Sequence, residues 1–282
     1  VRLTIGSRLA YAYTGGRKPE GPGVPVVFIH GAQHDHSVWI LQSRYLAHHG
    51  HPVFAVDLPG HGRSAGPAPG SVEAMADWVL EVLRAMGVAP ACLVGHSMGS
   101  LIAIEAAARG AGQIAGIALL GTAAPMQVSD ALLGAARDDE PRAFDMINAW
   151  SHSAITVRPG CPGPGFSIFN QNRRLMERQS AGLLFTDFSA CNAYQGAVAA
   201  AGRLQCPALF VSGRRDLMTP PRAARALFEA VSTRAQEAAL PAPQWIELPE
   251  CGHAMLAEQP QAVLAALKGF LPRCRLSQTT ST

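Results

Sequence analysis

Charge is scarce in this chain. Only 15% of its 282 residues are Asp, Glu, Lys or Arg, the formal net charge is +3, and neither sign gathers into a run. There is thus no basic stripe of the kind that tracks nucleic acid, and no polybasic segment suited to a membrane surface. Aromatic residues are few, at 6%, and no apolar stretch approaches the roughly 20 residues of a membrane span. The opening VRLTIGSRLAYAYTGG lacks the charged-then-apolar order of a secretory signal, so the expectation is a cytoplasmic protein. Cysteines are present but not arranged: Cys92, Cys161, Cys191, Cys206, Cys251 and Cys274 stand far apart with no CxxC pair, which excludes the common zinc spacings and reads as free thiols in a reducing compartment. With nucleic acid and membrane set aside, the expected partner is a small molecule, and the oligomeric state is left open.

What the chain does have is apolar bulk and turn residues. Hydrophobic residues make up 48%, with 28 Gly and 21 Pro, the profile of a folded chain rich in turns. The first 15 residues alternate around Gly6 and Ser7 as a β-hairpin does. Five later runs are near-continuously apolar and end in Gly, Asp or Ser: VPVVFIHG (24–31), PVFAVDLPG (52–60), ACLVGHS (91–97), IAGIALLG (114–121) and PALFVSGRRD (207–216). Strands covered on both faces have this composition. Helical patterns lie between and after them, at 37–49, 71–86, 98–109, 220–231 and 260–271. Strand then helix, repeated, predicts a doubly wound, mostly parallel sheet with its ligand site at the carboxyl ends of the strands. The alternation is lost from about 122 to 203, including the kinked RPGCPGPGF at 158–166. The expected organisation is a core of 1–121 and 204–276, a mainly helical insertion of 122–203, and a frayed tail of 277–282.

A serine between two glycines occurs twice, as GHSMG around Ser97 and GRSAG around Ser64, so the pentapeptide alone does not choose. Context does. Ser97 ends an apolar strand and opens an alanine-rich helix, whereas Ser64 runs into the loop PAPG. A nucleophile elbow requires the first arrangement, because a sharp strand-to-helix turn exposes the hydroxyl and only Gly95 and Gly99 leave room for strand and helix to approach. A serine hydroxyl becomes a useful nucleophile only when a base takes its proton and an acid orients that base. His253, on a Gly-containing loop after a strand-like run, and Asp216, at the end of the run 207–216, are the candidates at the carboxyl edge. The order Ser97, Asp216, His253 is that of one triad architecture and not of the two protease ones. The oxyanion of a tetrahedral intermediate needs backbone donors, expected from the NH of Met98 and from the loop HGAQHDHSVW, at Ala32 with Gln33 as the alternative.

Together, FIHGAQHDHSVW, VDLPGHGRS, LVGHSMGS, FVSGRRDLMTPP and ECGHAMLAEQP make the chain resemble the α/β-hydrolase superfamily, in particular its bacterial esterase, lactonase and C–C hydrolase members. The resemblance implies an eight-stranded, mostly parallel sheet flanked by helices, a helical cap formed by the insertion, and no metal or organic cofactor. It also implies that Asp57 and His61 belong to a structural turn. Relatives that dehalogenate alkanes or open epoxides need an aspartate where Ser97 stands. Serine C–C hydrolases tend to a Gly-rich oxyanion loop, while GAQHDH is bulky and polar. The expected reaction is hydrolysis of a carboxylic ester or lactone through an acyl-enzyme, with C–C bond hydrolysis or slow-turnover ligand binding as alternatives. An apolar pocket is expected from Trp39, Trp150, Phe185, Met218 and Met255. The run His34-Asp35-His36 supplies too few ligands for a metal; contacts from His34 or His36 to a leaving group, and plain solvated loop residues, both stay open.

Overall fold

The computed structural model describes residues 1–154 and 167–274. The stretch 158–166, with Cys161 and Phe166, and the tail 277–282 lie outside the described residues.

Eight strands form one sheet: β1 (Arg2–Ile5), β2 (Arg8–Tyr13), β3 (Val26–Ile29), β4 (Val53–Asp57), β5 (Ala91–His96), β6 (Ile114–Leu120), β7 (Ala208–Gly213) and β8 (Gln244–Leu248). Their spatial order is β1-β2-β4-β3-β5-β6-β7-β8. β1 and β2 are the antiparallel hairpin, with Ile5 opposite Arg8, and β2 also runs antiparallel to β4. Every pairing from β4 through β3 to β8 is parallel. Every residue of β3, β4, β5, β6 and β7 is buried, which is why these strands read as unbroken apolar runs. The chain moves outward from β3 to β4 and then returns to place β5 on the other side of β3. Strand order reverses there, which opens a crevice at the carboxyl ends of β3 and β5.

Helices cover both faces. The first three are α1 (Ile40–His48), α2 (Val72–Met86) and α3 (Met98–Arg109). Five more, α4 (Asp130–Asp138), α5 (Glu140–Ser151), α6 (Ile168–Glu177), α7 (Leu183–Ala193) and α8 (Ala197–Ala201), occupy the chain between β6 and β7; α9 (Arg225–Glu237), α10 (Met255–Glu258) and α11 (Pro260–Phe270) follow. Ends are set locally. The Ser71 side chain accepts from the Ala74 NH to start α2, and Gly87, with φ +63°, closes it in the left-handed conformation. The helix patterns at 37–49 and 220–231 each open with a 3₁₀ turn, at His36–Trp39 and Pro221–Ala224, and the second helix runs on to Glu237. Among the described residues no helix is long and apolar enough to cross a membrane.

Three apolar clusters hold the layers together. One lies between the sheet and α2, α3, α8 and α9, with Leu93, Ile117 and Phe210; the second lies on the opposite face under α1 and α11, with Phe28, Val94 and Phe270. A third joins α4 to α7 through Leu132, Phe144, Ile147, Leu184 and Phe188. Fully burying a side chain of this size contributes about 1.5–3 kcal/mol. Leu93 is wholly buried at the centre of the sheet, whereas Leu41 is 52% exposed. Leu93→Ala is expected to lower unfolding free energy by about 2–5 kcal/mol and Leu41→Ala by less than about 0.5 kcal/mol, read from urea denaturation.

Candidate active site

The turn from β5 into α3 carries Ser97 at φ +53°, ψ −121°, a conformation that an L side chain adopts only when its surroundings enforce it. The enforcement is packing. A Cβ on Gly95 would fall 2.0 Å from the Gly99 carbonyl oxygen, and one on Gly99 would fall 2.3 Å from the Ile29 carbonyl oxygen. The helix therefore starts against the backbone of β3. The Ser97 NH donates to Leu120 O at 2.9 Å, tying the turn to the end of β6. Met98 is the first residue of α3, so its NH has no partner within the helix.

His253 meets this turn from the β8–α10 loop. Its ring lies against Gly121, where a Cβ would come within 3.1 Å of Nδ1 and Cε1. His253 Nδ1–H donates to Asp216 Oδ2 at 2.8 Å, which leaves Nε2 as the basic nitrogen. The Asp216 carboxylate in turn accepts from the NH groups of Met218 (2.8 Å) and Thr219 (2.7 Å) and from the Thr219 hydroxyl (2.8 Å). Burial works against its ionisation, but the His253 charge and these hydrogen bonds hold its pKa below the usual carboxylate value. Ser97 Oγ makes no hydrogen bond among the described residues; in unliganded sites this contact is commonly long and tightens with substrate.

Two residues that sequence reasoning passed over complete this arrangement. Thr219 Oγ1 also lies 3.0 Å from His253 Nδ1, so it braces both partners. His96 Nε2–H donates to the His253 carbonyl at 2.9 Å, locking the histidine's loop to the residue before Ser97. Burial, and next the charge of His253, lower the His96 pKa to about 3, so this brace is neutral. The GH-S spacing offered a signal for His96, since a residue adjacent to the turn must end on the same rim. Ser64 is a structural residue: it donates to Asp57 O at 2.6 Å and accepts from the Tyr11 NH at 2.9 Å.

The loop after β3 faces the turn. The Gln33 NH donates to Asp187 Oδ2 on α7 at 2.8 Å, which removes Gln33 as a free donor, whereas the Ala32 NH has no acceptor among the described residues. Asp187 also accepts from His61 Nε2 at 2.9 Å, and His61 Nδ1 lies 3.1 Å from Pro59 O, so both ring nitrogens donate. Asp35 accepts from Arg178 (2.9 Å from Nε) and Gln179 (2.8 Å), and His36 Nδ1–H donates to Asp57 at 2.7 Å. Asp35, His36 and Asp57 bring their polar atoms within 4.8 Å of one another, but protein donors already hold the carboxylates, and a cation would have to displace the Arg178 guanidinium.

Of the apolar residues named from sequence, Trp150 and Met218 line a cavity of about 340 Å³ together with Ser97 and Ala32. Phe185 packs instead against the α4–α7 cluster. Trp39 and Met255 are corrections: both are fully buried in the cluster under α1 and α11, Trp39 with its ring 4.8 Å from that of Phe28. Trp39 closes the 3₁₀ turn ahead of α1 and Met255 opens α10, and both side chains pack into the core. A second cavity, of about 640 Å³, is lined by His253, His34 and residues of α5 and α6.

Residues 26–267 match the family model described as Alpha/beta hydrolase family. The chain is 30% identical over 267 residues to the pimeloyl-[acyl-carrier protein] methyl ester esterase of Chromobacterium violaceum, a match covering 89% of this chain and 95% of that one. A shorter match, 39% identical over 84 residues, is to the (E)-2-((N-methylformamido)methylene)succinate hydrolase of Acinetobacter baylyi, and it spans 29% of this chain and 32% of that relative. Among solved structures, the enol-lactonase from Burkholderia xenovorans superposes with a TM-score of 0.81 at 22% identity, over 96% of this chain and 100% of that one; at such identity the likeness shows the fold.

Gly99→Ala is expected to cost about 3 kcal/mol or more, because backbone rather than a movable side chain blocks the new methyl; urea denaturation reads it, and a loss within about 1 kcal/mol would refute the close approach. The buried His61–Asp187 pair makes a pH prediction. Burial disfavours charge on His61, but the Asp187 charge and hydrogen bond outweigh it and raise the pKa above 6.5. The folded state then holds the proton more tightly than the unfolded one, so this contribution is complete below about pH 6.5 and lost as pH rises through the folded value. From about pH 6 to about pH 9 the wild type is expected to lose more stability than Asp187→Asn; parallel pH profiles would dismiss the pair.

Proposed function

The chain belongs to the alpha/beta hydrolase family, and from that premise we propose that it is a serine hydrolase cleaving a carboxylic ester or lactone of a small, largely apolar substrate through an acyl-enzyme. The observation that carries the reading is the 2.8 Å contact between His253 and Asp216 beside the strained Ser97 turn. In this reading Ser97 Oγ attacks the acyl carbon while His253 Nε2 takes its proton. Asp216, ionised and buried, fixes the Nδ1–H tautomer and stabilises the imidazolium that forms. The NH groups of Met98 and Ala32 receive the oxyanion; donors of this kind are each worth about 3–4 kcal/mol in the transition state. The imidazolium then protonates the leaving alkoxide, and a water, activated by the same nitrogen, releases the acid and restores Ser97.

The two cavities divide the substrate. The acyl part bonds to Ser97 and so falls to the cavity of about 340 Å³ walled by Leu132, Trp150, Phe188 and Met218, which suits a short or medium apolar chain. The leaving alcohol must lie where His253 can protonate it, on the side of the larger cavity. The helices α4–α8, within 122–203, act as the cap over both. No cofactor enters this scheme.

Ser97→Ala is expected to reduce ester turnover by roughly 10⁵-fold or more with the fold retained, and Asp216→Asn to reduce kcat by roughly 10³–10⁴-fold. A panel of p-nitrophenyl esters of increasing acyl length, with fluorophosphonate labelling mapped by mass spectrometry, measures both. Full activity in Ser97→Ala would falsify the assignment, and labelling of Ser97 with negligible turnover of every ester and lactone would favour a ligand-binding role instead.

A further inference from the structure

The cavity beside His253 has three more histidines in its wall, His34, His96 and His152, and the hydrogen bonds around them decide which ring nitrogen of each is bare. For His34 the determining group is a carbonyl. Phe169 O can only accept, so Asn148 turns its Nδ2 toward it (3.1 Å) and presents Oδ1 on the other side. Asn172 Nδ2 donates to that Oδ1 at 2.8 Å, which leaves Asn172 Oδ1 as an acceptor. His34 Nε2 lies 2.9 Å from it and therefore carries the proton. Desolvation lowers the His34 pKa, so the ring is neutral and Nδ1 is an unshared lone pair with no partner among the described residues.

His152 reaches the same result by a different route. Its Nδ1 lies 3.0 Å from the Asn148 carbonyl oxygen, so the proton sits on Nδ1, with Ser151 Oγ 3.1 Å from the same atom. Burial lowers its pKa too. His152 is 5% exposed, and its Nε2 is buried with no hydrogen-bond partner among the described residues. Asn148 thus sets both rings, one through its side chain and Asn172, the other through its backbone. The bare nitrogens of His96 and His152 are themselves closed off from the cavity, whereas His34 Nδ1 is an accessible acceptor in its wall.

We propose that His34 is a specificity-determining residue that selects a leaving group bearing a hydrogen-bond donor, namely an alcohol with at least one further hydroxyl, as in the monoester of a diol or polyol. The proposal rests on the serine hydrolase reading above, because only there does the leaving group occupy this cavity. Much of the remaining wall is apolar, including Leu41, Ile147, Leu175 and Leu256. In such surroundings a lone pair without a donor is costly, and a hydroxyl removes that cost while a methyl of the same size does not. A carboxylate-bearing leaving group would meet the same lone pair unfavourably. The guanidinium groups on the wall do not reverse this, since Arg174 is paired with Glu177 and Arg178 with Asp35. His36 takes no part, its Nδ1 being bound to Asp57.

The test uses esters of one short acyl chain with ethylene glycol and with propanol, which differ only by hydroxyl against methyl, each kcat/KM divided by the ester's rate of hydrolysis by hydroxide. The wild type is expected to prefer the glycol ester by about tenfold or more. His34→Phe brings the ratio toward one, and His34→Gln, which restores an acceptor oxygen, recovers part of it. A ratio near one in the wild type, or a ratio that His34→Phe does not change, overturns the assignment while leaving the hydrolase reading intact. Failure of the wild type to cleave either ester, with Ser97 unlabelled by a fluorophosphonate, overturns both. Nitrogen-15 spectra of the wild type give a measurement free of folding effects: His34 protonated on Nε2 supports the proposal, and the opposite tautomer ends it.

Discussion

The close approach of α3 to β3 is the constraint on which the rest depends. Ser97 sits in the left-handed region only because the chain must turn from β5 into α3 within a single residue, and it can do so only because Gly95 and Gly99 have no side chain to keep helix and strand apart. Strain of this kind persists when surrounding structure over-determines it. Here the determinants are the wholly buried strands on either side and the bond from the Ser97 NH to β6. A hydroxyl on the rim and unpaired helix amides beside it are both consequences of the same turn.

Around that turn, histidines serve as fixed struts. His96 and His152 are buried and neutral, each donating through one nitrogen to a backbone carbonyl, His253 O in one case and Asn148 O in the other. His61 is the exception, protonated against Asp187. The difference is that both His61 nitrogens face acceptors, Pro59 O and Asp187, so both donate, whereas His96 and His152 each keep one nitrogen without a partner among the described residues. Asp187 reaches from α7 to the Gln33 amide and the His61 ring together, and Arg178 and Gln179 reach Asp35 from the end of α6. The loop that presents the Ala32 amide is therefore held by the helices above it as much as by the sheet below. Any shift of those helices moves the amide, so their position and the proposed oxyanion site are linked.

The sheet was legible in advance because burial on both faces strips a strand of polar residues, and the ends of α2 were legible because Ser71 and Gly87 answer local backbone needs. Ser97, Asp216 and His253 could be named for a related reason: each closes or follows a strand, and every parallel strand ends at the same rim. Aromatic and sulfur side chains could not be sorted in that way. Trp39 and Trp150 have the same composition-level appearance, yet one is core and the other lines the cavity with Ser97. The direction of a side chain leaving a helix start depends on how that helix lies on the sheet, which no short stretch encodes.

By itself the order of residues determined the parallel sheet, the glycine-flanked turn, and the succession of serine, aspartate and histidine along it, since these follow from local chemistry and from hydrophobic periodicity. Tertiary structure alone decided which nitrogen of each histidine carries a proton, which loop amide is free, and which residues wall the cavities. Those properties arise from contacts between segments far apart in the chain, such as His96 with His253, 157 residues apart, and a hydrogen bond acquires its direction only when both partners are in place.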